Sequence, residues 1–147
     1  MIAAVGAKWD VIRGAGNFPP RREIDPFDFR EWLPYLSLVD LYDEPFRVHY
    51  RLVGTEVARF GGEDFGNKWL HETDWEPPII EVNYALYRRL WEDRAPVYGL
   101  SLIDWDKRQK SVFEWALFPL SDDGEGISGC LCVDDFTPIA GRTYLLR

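Results

Sequence analysis

Two histidines, His49 and His71, and two cysteines, Cys130 and Cys132, are the only imidazoles and thiols in this 147-residue chain. Cys-His or Ser-His-Asp catalysis needs a base oriented by a third group, and neither histidine stands in a motif that supplies one. The Cys-x-Cys pair points both thiols to one side of a strand, with an along-strand separation of about 6.6 Å that strains a disulfide. As metal ligands the pair would need at least two more donors, and no second ligand pair lies nearby. Both cysteines are therefore expected to be reduced and packed in or near the core. The paired acids Asp122-Asp123 and Asp134-Asp135 fall at a turn and a strand end, where solvated carboxylates are ordinary. Gly61-Gly62-Glu63-Asp64-Phe65-Gly66 lacks the lysine and preceding buried strand of a phosphate-binding loop. This inventory predicts no catalytic residue and no metal site.

Binding chemistry has better candidates. On a helix over residues 77 to 93, at about 100° per residue, Ile79, Ile80, Val82, Tyr84, Leu86, Tyr87, Leu90 and Trp91 form an apolar arc, with Glu81, Arg88, Arg89 and Glu92 opposite. Asn83 falls inside that arc, so its amide should bond backbone, water or a ligand. Tyr84 and Tyr87 bring hydroxyls that want partners to the same side. Trp69, His71 and Trp75 flank the approach to this helix, and His71 could titrate near neutral pH. Trp115, and Trp105 before it, lie on alternate-residue faces of late strands. Asn83, Tyr84, Tyr87, Trp69, His71 and Trp115 are thus the expected ligand-binding set. Arg51 lies on the polar side of its strand; if that side is covered it needs a carboxylate, and Glu114 is the expected mate.

The elements that must position these groups are legible as patterns. Phe46, Val48, Tyr50 and Leu52 alternate with Arg47, His49 and Arg51, a strand with one apolar face. It pairs with a strand over 36 to 42 through the turn Asp43-Glu44-Pro45. Gly54 ends it, Thr55 can cap a short helix carrying Val57, Ala58 and Phe60, and Gly61-Gly62 stops that helix. Thr73 or Asp74 can cap the long helix, with Pro77-Pro78 in its first turn. Three strands follow, near 97 to 105, 110 to 120 and 127 to 135. At the start, Ala3 to Arg13 forms a helix with Trp9 and Ile12 on one side, and Asp25-Pro26 opens a short helical turn. A chain of this length needs one core. Residues 1–34 are expected to be a helix and connector packed on a domain formed by residues 35–147.

With 46% hydrophobic and 16% aromatic residues the chain has material for a core dense in rings. Its net charge of −8 argues against a phosphate-tracking surface, so nucleic acid is not an expected partner. Apolar runs fall short of the roughly 20 residues a membrane helix needs, and Lys8 follows the apolar Ile2–Val5, the reverse of a secretory signal. A cytoplasmic protein is expected.

The order of two strands, helices and three strands resembles the PAS fold. The motifs Trp9-x-x-x-Arg13-Gly14, Pro20-x-Arg22-x-Ile24-Asp25-Pro26, Leu33-Pro34, Tyr50-Arg51-Leu52-Val53-Gly54-Thr55, Asp64 to Leu70, and Phe118-Pro119-Leu120-Ser121-Asp122-Asp123-Gly124 are similar to those of short stand-alone bacterial PAS-like proteins. The resemblance implies an α+β fold: a five-stranded antiparallel sheet with helices on one face and an extra N-terminal helix. It also implies a non-enzymatic sensory, ligand-binding or protein-interaction module for a small apolar or amphipathic ligand or a protein partner. With no output domain expected, the signal would pass in trans, through docking or a homodimer contact at Trp9. The flavin photosensors of this fold use a cysteine ahead of the long helix, which this chain lacks, so the cofactor is unknown and that photochemistry is excluded. Haem is disfavoured because residues 77 to 95 contain no histidine. The alternatives are a small α+β enzyme of cone-shaped or hot-dog type, with His49 or His71 as base, and a structural dimerisation subunit.

Overall fold

The computed structural model describes residues 1–106 and 109–137; the side chains of residues 104–111, Trp105 among them, lie outside the described set. The expected strands are all present: β1 (Leu36–Tyr42), β2 (Arg47–Val53), β3 (Val97–Asp106), β4 (Gln109–Leu120) and β5 (Gly129–Asp135). They form one antiparallel sheet in the order β2-β1-β5-β4-β3. The helices are α1 (Ile2–Arg13), α2 (Thr55–Gly61) and α3 (Pro77–Asp93), with four short 3-10 turns in the connections. Within the described residues this is an α+β arrangement with three helices and five strands.

Both faces of the sheet are covered at its centre. Trp115 and Leu117 of β4, Cys130 and Cys132 of β5, Val39 and Leu41 of β1, and Val48 and Tyr50 of β2 pack with α2 and α3, on what we term the inner face. Ala116, Phe118, Leu120, Leu131, Val133 and Leu36 pack on the other side with Val5 and Trp9 of α1 and with Phe29. Double coverage explains why β4 and β5 read as nearly unbroken apolar runs, since a strand buried on both sides needs no polar alternation. α1 therefore lies across the second face. Trp9 is buried, 6% exposed, and its indole donates to the Pro119 carbonyl at 2.8 Å, so it is not available for the homodimer contact the sequence suggested there.

β2 departs from simple alternation. Leu38 pairs with Leu52 but Val39 pairs with Tyr50, so Arg51 is an extra residue in a bulge. The bulge reverses the pattern: Val53 packs against the inner core while Leu52 is 60% exposed. Two expected caps are absent as well. Gly54 stands ahead of Thr55 and α2 carries no side-chain cap, and Thr73 donates its hydroxyl to the Leu70 carbonyl at 2.8 Å instead of capping α3. Asp25 does cap its turn, accepting from the Phe27 N–H at 2.9 Å.

The Arg51–Glu114 pair does not form. Strand order puts β1 and β5 between β2 and β4, and Glu114 is exposed. Arg51 Nε instead lies 3.5 Å from Asp40 Oδ2, a buried carboxylate on β1 that also faces His49 Nδ1 at 3.5 Å. Asp40 meets a third partner, Arg21, which reaches over the sheet from the connector and donates to the Val39 carbonyl at 3.1 Å. Sequence proximity favoured no such partner, because the bond joins residues from separate elements across the outer face.

Arg21 is mostly buried and Arg51 is 55% exposed, so the two bonds to Asp40 should differ in worth. Arg21→Met is expected to lower the unfolding free energy by roughly 3 kcal/mol in urea titrations, since it strips a buried carboxylate of its closest cation. Arg51→Met should cost under about 1 kcal/mol. Equal losses for the two variants would refute this ranking.

Candidate functional site

Between α3 and the sheet, apolar packing is interrupted by a line of polar atoms. Alternation along β5 turns Cys130, Cys132 and Asp134 toward α3, with Phe136 just beyond the strand on the same side. Tyr50 of β2 and Tyr87 of α3 converge on them, 3% and 4% exposed. The Tyr87 hydroxyl donates to the Tyr50 oxygen at 3.2 Å and lies 3.7 Å from Cys132 Sγ, which is in turn 3.5 Å from Cys130 Sγ. Phe65 stands edge-on to Tyr50 at 4.8 Å, and Trp75, bonded through its indole to the Gly61 carbonyl at 3.1 Å, closes the end of the cluster.

The clasp that sets Tyr50 is backbone. Tyr50 N–H donates to Lys68 O at 2.9 Å and Asn67 N–H donates to Tyr50 O at 2.6 Å, so the segment after α2 pairs along the β2 edge. Glu63 pins the same segment, binding Lys68 Nζ at 2.6 Å and accepting from Asp74 N–H at 2.7 Å. The hydrogen bond from Lys68 lowers the Glu63 pKa.

Electrostatically the cluster keeps its protons. Burial pushes the Tyr50 and Tyr87 hydroxyls well above the ordinary tyrosine range and does the same to the Cys130 thiol. Burial alone raises Asp134 to about 7. Its cross-strand partner Trp115 does not relieve it, because that indole donates to Ser101 Oγ at 2.8 Å and its ring lies over Gly99. Among the described residues Asp134 has no hydrogen bond or ion pair. Asp134 itself is half-buried.

The expected binding set divides. Tyr84, Tyr87 and Trp115 lie on the inner face, Tyr84 half-buried with its hydroxyl pKa raised by burial. Asn83 does not join them: its Nδ2 donates to the Ile79 carbonyl at 2.9 Å, one turn back along its own helix. Ile79 and Val82 are exposed, so the buried stripe of α3 is narrower than its apolar arc. Trp69 and His71 stand apart. Trp69 lies over Arg47 and 4.9 Å from the His49 ring, in bridge pairing with His49 at the β2 edge, and His71 is exposed beside it. Tyr50, Cys130, Cys132 and Asp134 are inner-face polar residues outside the expected set. Period two along β5 carried the signal, since Cys130, Cys132 and Asp134 share one parity. Asp135, also expected to be solvated, is buried on the opposite side, 3.5 Å from the Met1 amino group.

A concavity lies on the outer face. α1 leaves a groove of about 590 Å3 against the end of α3 and the sheet, floored by Gly6, Trp9, Tyr98 and Phe118 and flanked by Arg13 and Arg94. Next to it Tyr98, Leu100 and Leu102 of edge strand β3 are 59%, 66% and 58% exposed.

A protein-family model described as a PAS domain matches residues 2–132. No curated protein matches the chain.

Asp134 sets a pH signature. Unfolded, its carboxyl titrates near 3.8; folded, near 7. Between those values the folded state holds a proton the unfolded state has lost, so stability falls as pH rises through this window and levels off above it. At about 1.4 kcal/mol per pKa unit the rise from 3.8 to about 7 corresponds to a loss on the order of 4 kcal/mol. Asp134→Asn is expected to be more stable than wild type by about that amount at pH 8 and nearly equal at pH 4, measured by urea unfolding at both pH values. A wild-type advantage at pH 8 would show that the carboxylate has a partner.

Proposed function

The chain belongs to the PAS domain family, and within it we propose a non-enzymatic sensory module whose input site is the inner face between α3 and the sheet. The observation that carries this reading is Asp134. A core built only for packing gains nothing from a lone carboxyl among rings, which costs stability wherever it is ionised. Beside it Tyr84, Tyr87 and Trp115 offer apolar walls with few polar atoms, the composition of a small-molecule site. A small amphipathic ligand fits this chemistry.

The output side in this reading is the outer face. The groove along α1 and the uncovered Tyr98-Leu100-Leu102 stripe suit a protein partner or a second copy, so that signalling passes in trans. Phe118 links the two faces structurally: it floors the groove under Gly6, while its strand neighbours Trp115 and Leu117 face α3. Neither histidine faces the inner site, which weighs against an axial haem ligand from α3 or β2. No described helix is long and apolar enough to cross a membrane.

Native mass spectrometry of the protein purified from its own host tests the reading. Wild type should retain a small-molecule adduct, and Tyr84→Ala, which removes a wall without touching the Tyr50–Tyr87 bond, should lose it while keeping the wild-type circular dichroism. A bare wild-type mass, with Tyr84→Ala indistinguishable in thermal melting under every small-molecule extract tried, would refute ligand sensing.

A further inference from the structure

We propose that the outer face of the β1–β2 hairpin docks an acidic segment of a protein partner, with the guanidinium of Arg47 as the fork that takes its carboxylate. This surface lies at the opposite edge of the sheet from the α1 groove and on the other side from the inner site, and its chemistry is independent of both.

Alternation with the buried Val48 and Tyr50 turns Arg47 and His49 outward, and cross-strand pairing sets them beside Tyr42 and Asp40 of β1. Trp69 joins them from the strand edge through its bridge with His49. Arg47 is held by two rings, its guanidinium carbon 5.4 Å from the Tyr42 centroid and 5.0 Å from that of Trp69, and the two rings are 5.5 Å apart. Stacking of this kind fixes a guanidinium without using its hydrogen-bond donors. Those donors stay unmatched: the Arg47 side chain makes no hydrogen bond or ion pair among the described residues, and its Nε is buried without an acceptor. Arg22 and Arg30 are also unpaired there, but they are exposed and water serves them, whereas Arg47 is half-buried.

The charges around Arg47 leave it to an outside acid. Asp40 is already engaged by Arg21, His49 and Arg51. Asp43 accepts from the Glu44 N–H within the turn, Glu44 is exposed, and Glu72 accepts from the Trp69 N–H; none of them pairs with Arg47. A cationic patch on a chain of net charge −8 is a local feature, suited to complementarity at contact. A carboxylate matches the guanidinium fork with two parallel hydrogen bonds. The surroundings specify a peptide and not a bare ion, because Tyr42 and Leu52 on the same face are 42% and 60% exposed and offer contacts to the side chains that flank the acid. Addition of a strand to the β2 edge is closed at Tyr50, whose N–H and carbonyl are taken by Lys68 and Asn67, so the segment lies over the face.

Fluorescence anisotropy of the full chain with a rhodamine-labelled peptide, Ser-Glu-Leu-Glu-Tyr-Glu-Ser, tests the proposal against the same peptide carrying glutamine at each glutamate. In salt of roughly 0.01 M, where the Debye length is about 30 Å, wild type should bind the acidic peptide at least about tenfold more tightly than the neutral one, and the ratio should narrow at roughly 0.15 M. Arg47→Gln should lose the preference. Arg47→Lys, which keeps the charge and gives up the fork, should fall between. Arg89→Gln, which removes an exposed arginine of α3, and Tyr84→Ala, which alters the inner site, should both bind as wild type does.

Equal binding of the two peptides by wild type would overturn the proposal, and so would an acidic preference that survives in Arg47→Gln. Displacement of the acidic peptide by acetate at an equal carboxylate concentration would overturn it as well, by revealing a site for small anions. Should Arg47→Gln fail to fold, the two peptides on wild type and the Arg47→Lys variant still decide between these outcomes.

Discussion

The burial of the sheet on both faces is the constraint from which the other features follow. With α1 on one side of β4 and β5 and α2 and α3 on the other, the central residues of those strands, 115–120 and 129–133, have no solvated side to turn to. Hydrophobic residues satisfy this at little cost, and each polar residue that remains requires a separate account. Asp40 of β1 and Asp135 of β5 are buried and Asp134 of β5 is half-buried, and each is handled differently. Asp40 is met by Arg21, His49 and Arg51, and Asp135 accepts from the Thr137 N–H at 3.0 Å near the Met1 amine. Asp134 is met by none of the described residues. The two buried acids are satisfied by cations or hydrogen bonds, and Asp134, half-buried, is not.

The connector before β1 has a structural task of its own. Arg21 begins its crossing from a segment paired to the other end of the sheet, where Arg21 N–H donates to Ser121 O and Ser121 N–H donates to Pro19 O. Its guanidinium then lies over Gly129, where a Cβ would collide with it. The first forty residues are thereby tied to the β4–β5 turn through both backbone and side chain. That turn is rigid in its own right: Asp123 accepts from Glu125 and Gly126 N–H at 2.8 and 2.9 Å, and these bonds lower its pKa to about 2.

Element order, strand number and the long helix were legible in the sequence, because period-two and period-3.6 patterns record which face of each element is buried. The bulge at Arg51 was not, since an inserted residue leaves the composition of a strand unchanged and shows only when its neighbour's register is known. For the same reason Arg51 was matched to Glu114: pairing across a sheet depends on strand order, and Asp40 lies in the adjacent strand. Tyr84, Tyr87 and Trp115 were found from helical and strand periodicity. Asn83 was misplaced because an amide can satisfy itself on the preceding turn, a local bond that a helical wheel does not display. Trp69 and His71 follow a turn whose path along the β2 edge is set by backbone pairing to Tyr50 and His49, for which side-chain type gives no signal. Asp134 looked like a strand-end acid, although Cys130 and Cys132 already marked its parity as inward.

The strand order carries a consequence for how the chain is made. β1 lies between β2 and β5, so the hairpin emerging first from the ribosome keeps one bare edge until residue 135 has cleared the exit tunnel. Throughout that interval the nascent β1 presents unpaired amides and carbonyls and the apolar Leu36, Val39 and Leu41. Closure of the sheet is thus a late, long-range event, and a chaperone that shields one exposed strand edge would protect the chain through its most vulnerable stage.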